Sequence, residues 1–143
     1  MRGSTPGSSA TGSDVCLAIV LDTGAILTGA ALALSGARLL ATPRVLGEVR
    51  DEKSVTVLDM LESSGKLEIV EPDAPSLEAA RRAARKAGVR RRLSETDLEV
   101  LAVGIMLASQ GCKVTLVTDD FSLARAAKRA GLRVSTVRYR LNV

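Results

Sequence analysis

The stretch VCLAIVLD, residues 15–22, is a continuous apolar run that ends in an acid. A run without polar alternation is typical of a strand covered on both faces, as in the centre of a parallel sheet. A second run of the same kind, KVTLVTDD at residues 113–120, ends in two acids. These two runs predict central strands of one sheet.

Segments with helical character separate the strands. In TPRVLGEVRD, Thr42 is placed as an N-cap and Pro43 as the first helical residue. Further helices are predicted for TGAILTGAALALSG, SVTVLDMLESSG, SLEAARRAARKAG with a Ser cap, LSETDLEVLAVGIMLASQG and FSLARAAKRAG. Further strands are predicted for ARLLAT, KLEIVEP and LRVSTVRYRL. The alternation predicts a three-layer α/β/α domain over residues 14–143, with a central, mostly parallel sheet flanked by helices. The Gly- and Ser-rich residues 1–13 are interpreted as a disordered tail or a cloning leader.

Composition excludes several kinds of site. The 143 residues include no His and no Trp, one Phe and one Tyr. There is thus no imidazole base, and a base-stacking platform of the RRM or single-strand-binding kind is not expected. With 20 basic and 16 acidic residues the net charge is +4, which is compatible with a polyanionic partner. Cys16 and Cys112 are interpreted as small core residues, with a disulfide as the minor alternative. No membrane-length apolar run or secretory leader is visible, so a cytoplasmic location is expected.

Acidic residues follow both apolar strands. Asp22 ends the first, and Asp119 and Asp120 end the second. Ligands bind beyond the carboxyl ends of parallel strands, so these acids are expected at a ligand-binding edge. Glu48 and Asp97 lie in two of the predicted helices. Taken singly, each acid has a structural explanation: Asp22 and Asp119 or Asp120 as N-caps, Glu48 paired with Arg44, and Asp97 in a capping box with Ser94.

The direction of Asp97 favours more than a capping role. At roughly 100° per residue, its stripe on the helix is apolar, whereas Glu95 and Glu99 are expected on a water-facing edge. A carboxylate that faces inward is costly unless it is paired, protonated or bound to a metal. Several carboxylates at one sheet edge, without His or Cys, suit Mg²⁺ or Mn²⁺ and hydrolysis of a phosphodiester.

Four motifs, in order, resemble those of the PIN domain, a metal-dependent ribonuclease fold. They are VLDTGAIL, TPRVLGEVRD, LSETDLEVLAVGIMLA and LVTDDF, and the resemblance covers about residues 15–135. It implies an endoribonuclease whose catalytic acids are Asp22, Glu48, Asp97 and Asp120. It also implies Mg²⁺ or Mn²⁺ held by Asp22, Asp97, Asp119 and Asp120, with Thr23, Ser94 and Thr118 orienting the carboxylates.

Within PIN domains, the residues of three motifs are most similar to those of the Nob-type branch, which cleaves the precursor of small-subunit rRNA. This implies pre-rRNA or the pre-ribosomal small subunit as partner, although no C-x-x-C pair of a zinc ribbon follows TDDF. Two alternatives stay open: a VapC-type toxin ribonuclease with an antitoxin partner, ranked second, and a non-catalytic PIN module that binds RNA or assists assembly. A homodimer is also left open, and no membrane partner is expected.

Basic residues flank the third and fourth motifs. Arg90, Arg91 and Arg92 directly precede LSETD, and Arg125, Lys128 and Arg129 follow TDDF. A charge run is often only a solvated face. Its position beside the acids favours RNA phosphate binding, with the second group forming an opposite wall.

Overall fold

A computed structural model describes residues 15–29, 31 and 36–137. Five strands and six α-helices alternate along this part of the chain. They are β1 Leu17–Leu21, α1 Thr23–Leu27, β2 Arg38–Ala41, α2 Pro43–Glu48, α3 Glu52–Ser63, β3 Leu67–Ile69, α4 Ala74–Lys86, α5 Glu95–Ser109, β4 Lys113–Val117, α6 Phe121–Arg129 and β5 Arg133–Ser135, with a 3₁₀ turn at Arg90–Arg92 before α5. The tail predicted for residues 1–13 lies outside the described residues.

The strands form one parallel sheet in the order β3-β2-β1-β4-β5. From β1 the chain builds outward through β2 to β3, and it then returns through α4 and α5 to place β4 on the other side of β1. The order therefore reverses between β1 and β4, which makes this point the topological switch of the sheet. In register, Val20 lies beside Leu116 and Leu21 beside Val117, so Asp22 and Asp119 follow adjacent strand ends.

Two groups of helices cover the sheet. The helices α4, α5 and α6 contact one another, and α1 contacts α3. The sheet grows in opposite directions from β1 and from β4, so right-handed crossovers place the two groups on opposite faces. The predicted three-layer α/β/α architecture is confirmed. None of the helices in the described part of the chain is long and apolar enough to cross a bilayer.

Most predicted helix boundaries follow from local caps. Thr42 caps α2, since its hydroxyl accepts the Val45 N–H at 3.2 Å and Pro43 is the first helical residue. The predicted Ser cap of α4 is wrong: the helix begins two residues before Ser76, because Asp73 accepts the Ser76 N–H at 2.9 Å. An Asp cap and a proline in the first turn extend a helix that the Ser alone would have started later.

Other boundaries differ in length. The first helix, predicted to run to Gly36, covers Thr23–Leu27, and residues 30 and 32–35 lie outside the described part. The last strand covers Arg133–Ser135, and the end of its predicted stretch, from residue 138, is likewise outside it.

The two cysteines form a disulfide, which corrects the interpretation as separate core residues. Cys16 and Cys112 directly precede β1 and β4, with Cα atoms 4.6 Å apart. Because Leu17 and Lys113 are partners in the sheet, the residues before them are brought face to face. The bond closes a sequence separation of 96 residues, so only the strand order could reveal it.

Candidate active site

Asp22 occupies the loop between β1 and α1. Its Oδ1 accepts the Ala25 N–H at 2.8 Å, so it is the N-cap of α1. Its carboxylate also hydrogen-bonds to the side chain of Thr118, and its own N–H donates to the Val117 carbonyl at 3.3 Å. Asp22 therefore has the N-cap role predicted for it, and the same contacts hold its carboxylate at the switch point.

Thr118 joins the ends of the two central strands. It is 1% exposed, and its hydroxyl oxygen accepts the Asp120 N–H at 3.0 Å. Asp120 in turn caps α6 by accepting the Leu123 N–H at 2.9 Å. One buried hydroxyl thus positions Asp22 directly and Asp120 through its backbone.

Glu48 lies at the end of α2 and accepts two hydroxyl groups. Thr23 donates to its Oε1 at 2.8 Å and Thr96 donates to its Oε2 at 2.7 Å. The alternative pairing with Arg44 is wrong, because Arg44 instead contacts Glu99. Thr96 was missed by sequence reasoning, and its position beside Asp97 is the only local signal that could have indicated it.

Asp97 forms a capping box at the start of α5. The Ser94 hydroxyl accepts the Asp97 N–H at 3.1 Å, and Asp97 Oδ2 accepts the Ser94 N–H at 2.9 Å. Asp97 is only partly exposed. The expectation for Glu99 is wrong, since its side chain is 15% exposed and accepts the Arg44 N–H at 3.1 Å. The water-facing edge of this turn is carried by Glu95.

The acids influence one another electrostatically. Burial raises the pKa of Asp22, and the charges of Asp97 and Asp119 raise it further, against hydrogen bonds that lower it. Burial also raises the pKa of Asp97, with further increases from Asp120 and Glu48. The tertiary structure therefore gathers all five predicted acids into one cluster. Within the described residues, no Lys or Arg forms an ion pair with Asp22, Glu48, Asp97 or Asp120.

The donor set fits a hard divalent cation, although the geometry is not that of a closed site. In the described ranges, no group of three or more acidic or Cys side chains is tight enough to be a ready-made metal site. The cluster nevertheless offers only oxygen donors, and the charges of Asp97 and Asp119 raise the pKa of Asp22. Mg²⁺ and Mn²⁺ favour such carboxylates and retain several waters, so a looser arrangement suits them. Asp119 Oδ1 accepts the Val137 N–H at 3.0 Å.

The predicted basic residues separate into two places. Arg90, Arg91 and Arg92 line a cavity of about 390 Å³ together with Arg85 and Gly88, directly before α5. Arg125 lies one turn into α6 and donates to the Ala87 carbonyl at 3.1 Å. The helix carries Lys128 and Arg129 to its far end, about 12 Å of helix rise from its acidic start. The opposite wall that the sequence suggested for these two residues stays a prediction.

Comparison with known proteins agrees with this fold. A family model described as the PIN domain of ribonuclease matches residues 19–107, well over half of the chain. The chain therefore belongs to the PIN-domain ribonuclease family, as the four motifs predicted.

Two curated relatives represent two branches of the family. The chain is 55% identical over 140 residues to "Ribonuclease VapC3" of Aeropyrum pernix, covering 98% of each protein. It is 38% identical over 122 residues to "Endoribonuclease Nob1" of Pyrococcus abyssi, covering 85% of this chain and 70% of the relative. The VapC-type interpretation, ranked second on the motifs, is thus at least as well supported as the Nob-type one.

One solved structure supports the fold. The chain resembles a chain of VapBC2 from Rickettsia felis, a complex bound to a DNA fragment from its promoter, with a TM-score of 0.58. The similarity covers 84% of this chain and 98% of the other at 16% identity, so it shows the shared architecture alone.

Proposed function

We propose that this protein is a divalent-metal-dependent endoribonuclease that cleaves single-stranded RNA. The observation that carries the proposal is the cluster at the β1–β4 switch point, where Asp22, Glu48, Asp97 and Asp120 interact without a cationic partner among the described residues. Family membership supports RNA as the substrate. A cationic ligand would remove the mutual repulsion that burial intensifies.

Each acid has a distinct position in this proposal. Asp22, Asp97 and Asp120 would hold Mg²⁺ or Mn²⁺, with Asp119 beside them, and when bound the ion would supply positive charge at the phosphate and make water a stronger nucleophile. Glu48 is held by two threonine hydroxyls, so its carboxylate is fixed at the edge of the cluster. Thr118 and Ser94 orient Asp22 and Asp97, a function that commonly accompanies metal-binding carboxylates.

The basic surface supports a nucleic acid substrate. Arg90, Arg91 and Arg92 lie next to the start of α5, just before Asp97 in the chain, and would attract RNA phosphates. Arg125 would extend this surface along α6. Lys128 and Arg129, further along the same helix, would add to the attraction of RNA.

Manganese-dependent cleavage of a labelled single-stranded RNA tests the proposal. Wild type should cleave the RNA with Mn²⁺ and not with EDTA, and Asp97→Asn should lose this activity while keeping its cap, because an amide oxygen can still accept the Ser94 N–H. Asp59→Asn, at an exposed acid of α3, is the matched control and should cleave like wild type. Equal cleavage by Asp97→Asn would identify a contaminating nuclease and remove the proposal.

The identity of 55% over 98% of both proteins favours a VapC-type role as the biological setting. In that setting, expression without a neutralising antitoxin should arrest growth of a bacterial host, and Asp97→Asn should not. In a Nob-type setting, the cut RNA ends should map to the 3′ end of small-subunit rRNA precursors. Sequencing of the 5′ and 3′ ends of cleaved RNA from the expressing cells would separate the two.

A further inference from the structure

Phe121 is an aromatic side chain left open to solvent beside the acids. It is the only Phe of the chain, it is 69% exposed, and it directly follows Asp120 at the first position of α6. Exposing a large aromatic side chain loses the free energy that its burial would contribute. Its neighbours Asp120 and Ser122 are polar, so it does not continue an apolar strip along the sequence.

One side of the ring is occupied by a cation. The guanidinium carbon of Arg125 lies over the Phe121 ring, 5.9 Å from its centroid. The same guanidinium donates to the Ala87 carbonyl at 3.1 Å, which ties it to the end of α4. Arg125 is therefore held from two sides, and the large exposed fraction of Phe121 leaves ring surface free for another planar group.

This pair connects the acids to the arginine cavity. Ala87 is followed by Gly88, which lines the cavity of about 390 Å³ with Arg85, Arg90, Arg91 and Arg92. Gly88 has a φ of 75°, the left-handed conformation that ends α4 and turns the backbone toward these arginines. Phe121 is thus linked, through Arg125 and the Ala87 carbonyl, to the chain segment that lines a cavity with four arginines.

We infer that Phe121 is a base-stacking residue, which holds an unpaired nucleotide beside the acids while the arginine cavity receives phosphates further along the same strand. An aromatic face followed by cationic side chains matches the alternation of bases and phosphates in a single strand. A duplex keeps its bases stacked on each other, so this surface selects RNA that is unpaired next to the cut. The inference rests on the proposed function and specifies how that site chooses its substrate.

Binding can be measured without cleavage. The Asp97→Asn protein is mixed, in EDTA, with single-stranded RNA of about 12 nucleotides that carries 2-aminopurine at successive positions, so that fluorescence reports stacking. At one position the fluorescence should change on binding, and Phe121→Ala should abolish that change and weaken binding about 5- to 150-fold. Phe121→Tyr and Phe121→Trp should restore both, whereas Phe121→Leu, apolar but without a ring, should not. Met60→Ala, at another exposed apolar residue, is the control and should bind normally.

The outcomes separate this inference from the nuclease proposal. Wild-type cleavage with Mn²⁺ tests the nuclease, and ring-dependent binding by the Asp97→Asn protein tests Phe121. If the Phe121→Ala and Phe121→Trp variants have equal RNA affinity and equal fluorescence, the inference is overturned even if wild type cleaves RNA. It is also overturned if the Asp97→Asn protein binds none of the oligonucleotides. Loss of a protein complex by Phe121→Ala, with RNA binding unchanged, would instead assign the ring to a protein partner. Thermal unfolding of each variant should match that of its parent, because the side chain is largely exposed.

Discussion

Replacing Thr118 with Val should uncouple the two central strand ends. Valine has nearly the same shape as threonine but no hydroxyl, and Thr118 is 1% exposed, so no water can readily take the place of that hydroxyl. Two contacts disappear: the hydrogen bond to the Asp22 carboxylate and the bond from the Asp120 N–H at 3.0 Å. A buried polar group that loses its partner costs about 1–3 kcal/mol, and bonds to charged groups lie at the upper end.

The expected loss in the free energy of unfolding is therefore about 2–4 kcal/mol. For a chain of this length, each kcal/mol lowers the Tm by about 3 °C. Thr118→Ser is the matched control, because it keeps the hydroxyl and loses only one methyl group, at a cost of about 1 kcal/mol. Urea unfolding of the metal-free proteins at neutral pH measures both values.

The same substitution should change the pH dependence of cleavage. The Thr118 hydrogen bond lowers the pKa of Asp22, whose burial raises it. Without that bond the pKa of Asp22 rises further, so a higher pH is needed to ionise the carboxylate. The acidic limb of the rate profile should move to higher pH in Thr118→Val and stay in place in Thr118→Ser. If the Val and Ser variants agree in both stability and pH profile, the hydroxyl does not position Asp22 and the reasoning fails.

Three further predictions concern charge, packing and the disulfide. The folded pKa of Asp22 is raised above its ordinary value of 3.8, so stability is lost as the pH rises from 3.8 through that raised pKa. Asp22→Asn should therefore be more stable than wild type at pH 7 in EDTA, by about 1.4 kcal/mol for every tenfold by which folding strengthens proton binding to the carboxylate. This advantage should vanish below pH 3.8, and urea titrations at both pH values would check it. In Gly104→Ala the new Cβ would lie 2.7 Å from Leu132 Cδ1, so overpacking should cost about 1–3 kcal/mol and outweigh a gain in helix propensity of about 1 kcal/mol. This loss of stability should be smaller when Leu132 is also replaced by Val. If the effects of the two substitutions in thermal melts are strictly additive, the contact does not explain the loss. Reducing the Cys16–Cys112 disulfide should lower the free energy of unfolding by about 4 kcal/mol, because the two cysteines are 96 residues apart in the sequence and the bond closes that long loop. A variant with both cysteines replaced by Ser that unfolds at the same urea concentration as the oxidised protein would contradict this.

Local contacts explain why much of the fold was predictable. The caps formed by Asp22, Thr42, Ser94 and Asp120 each depend on a hydrogen bond to a backbone N–H three residues later. Such a contact is fixed by neighbouring residues and leaves a readable pattern. The Ser cap predicted for α4 was wrong for the same reason, because a second local signal, Asp73, competes with it.

Distant contacts explain what the sequence could not supply. The hydroxyl groups that hold Glu48 come from Thr23 and Thr96, at separations of 25 and 48 residues. Arg44 could have reached Glu48 from within the same helix, yet it contacts Glu99 of α5 instead, at a separation of 55 residues. Which of several acids a basic residue contacts depends on which helices and strands pack together. A local sequence pattern carries no information about that packing.

The sequence by itself determined the kinds of elements, their order and the acids that end the central strands, because apolar periodicity and capping act over a few residues. Only the tertiary structure decided that β4 lies beside β1. That strand order brings Asp22 next to Thr118 and joins Cys16 to Cys112. It also gave Asp97 two functions that the sequence presented as alternatives: a capping partner for Ser94, and a member of an acidic cluster whose other members lie far away along the chain. The physical reason is that charge interactions act through space, whereas sequence patterns record only what lies nearby along the chain.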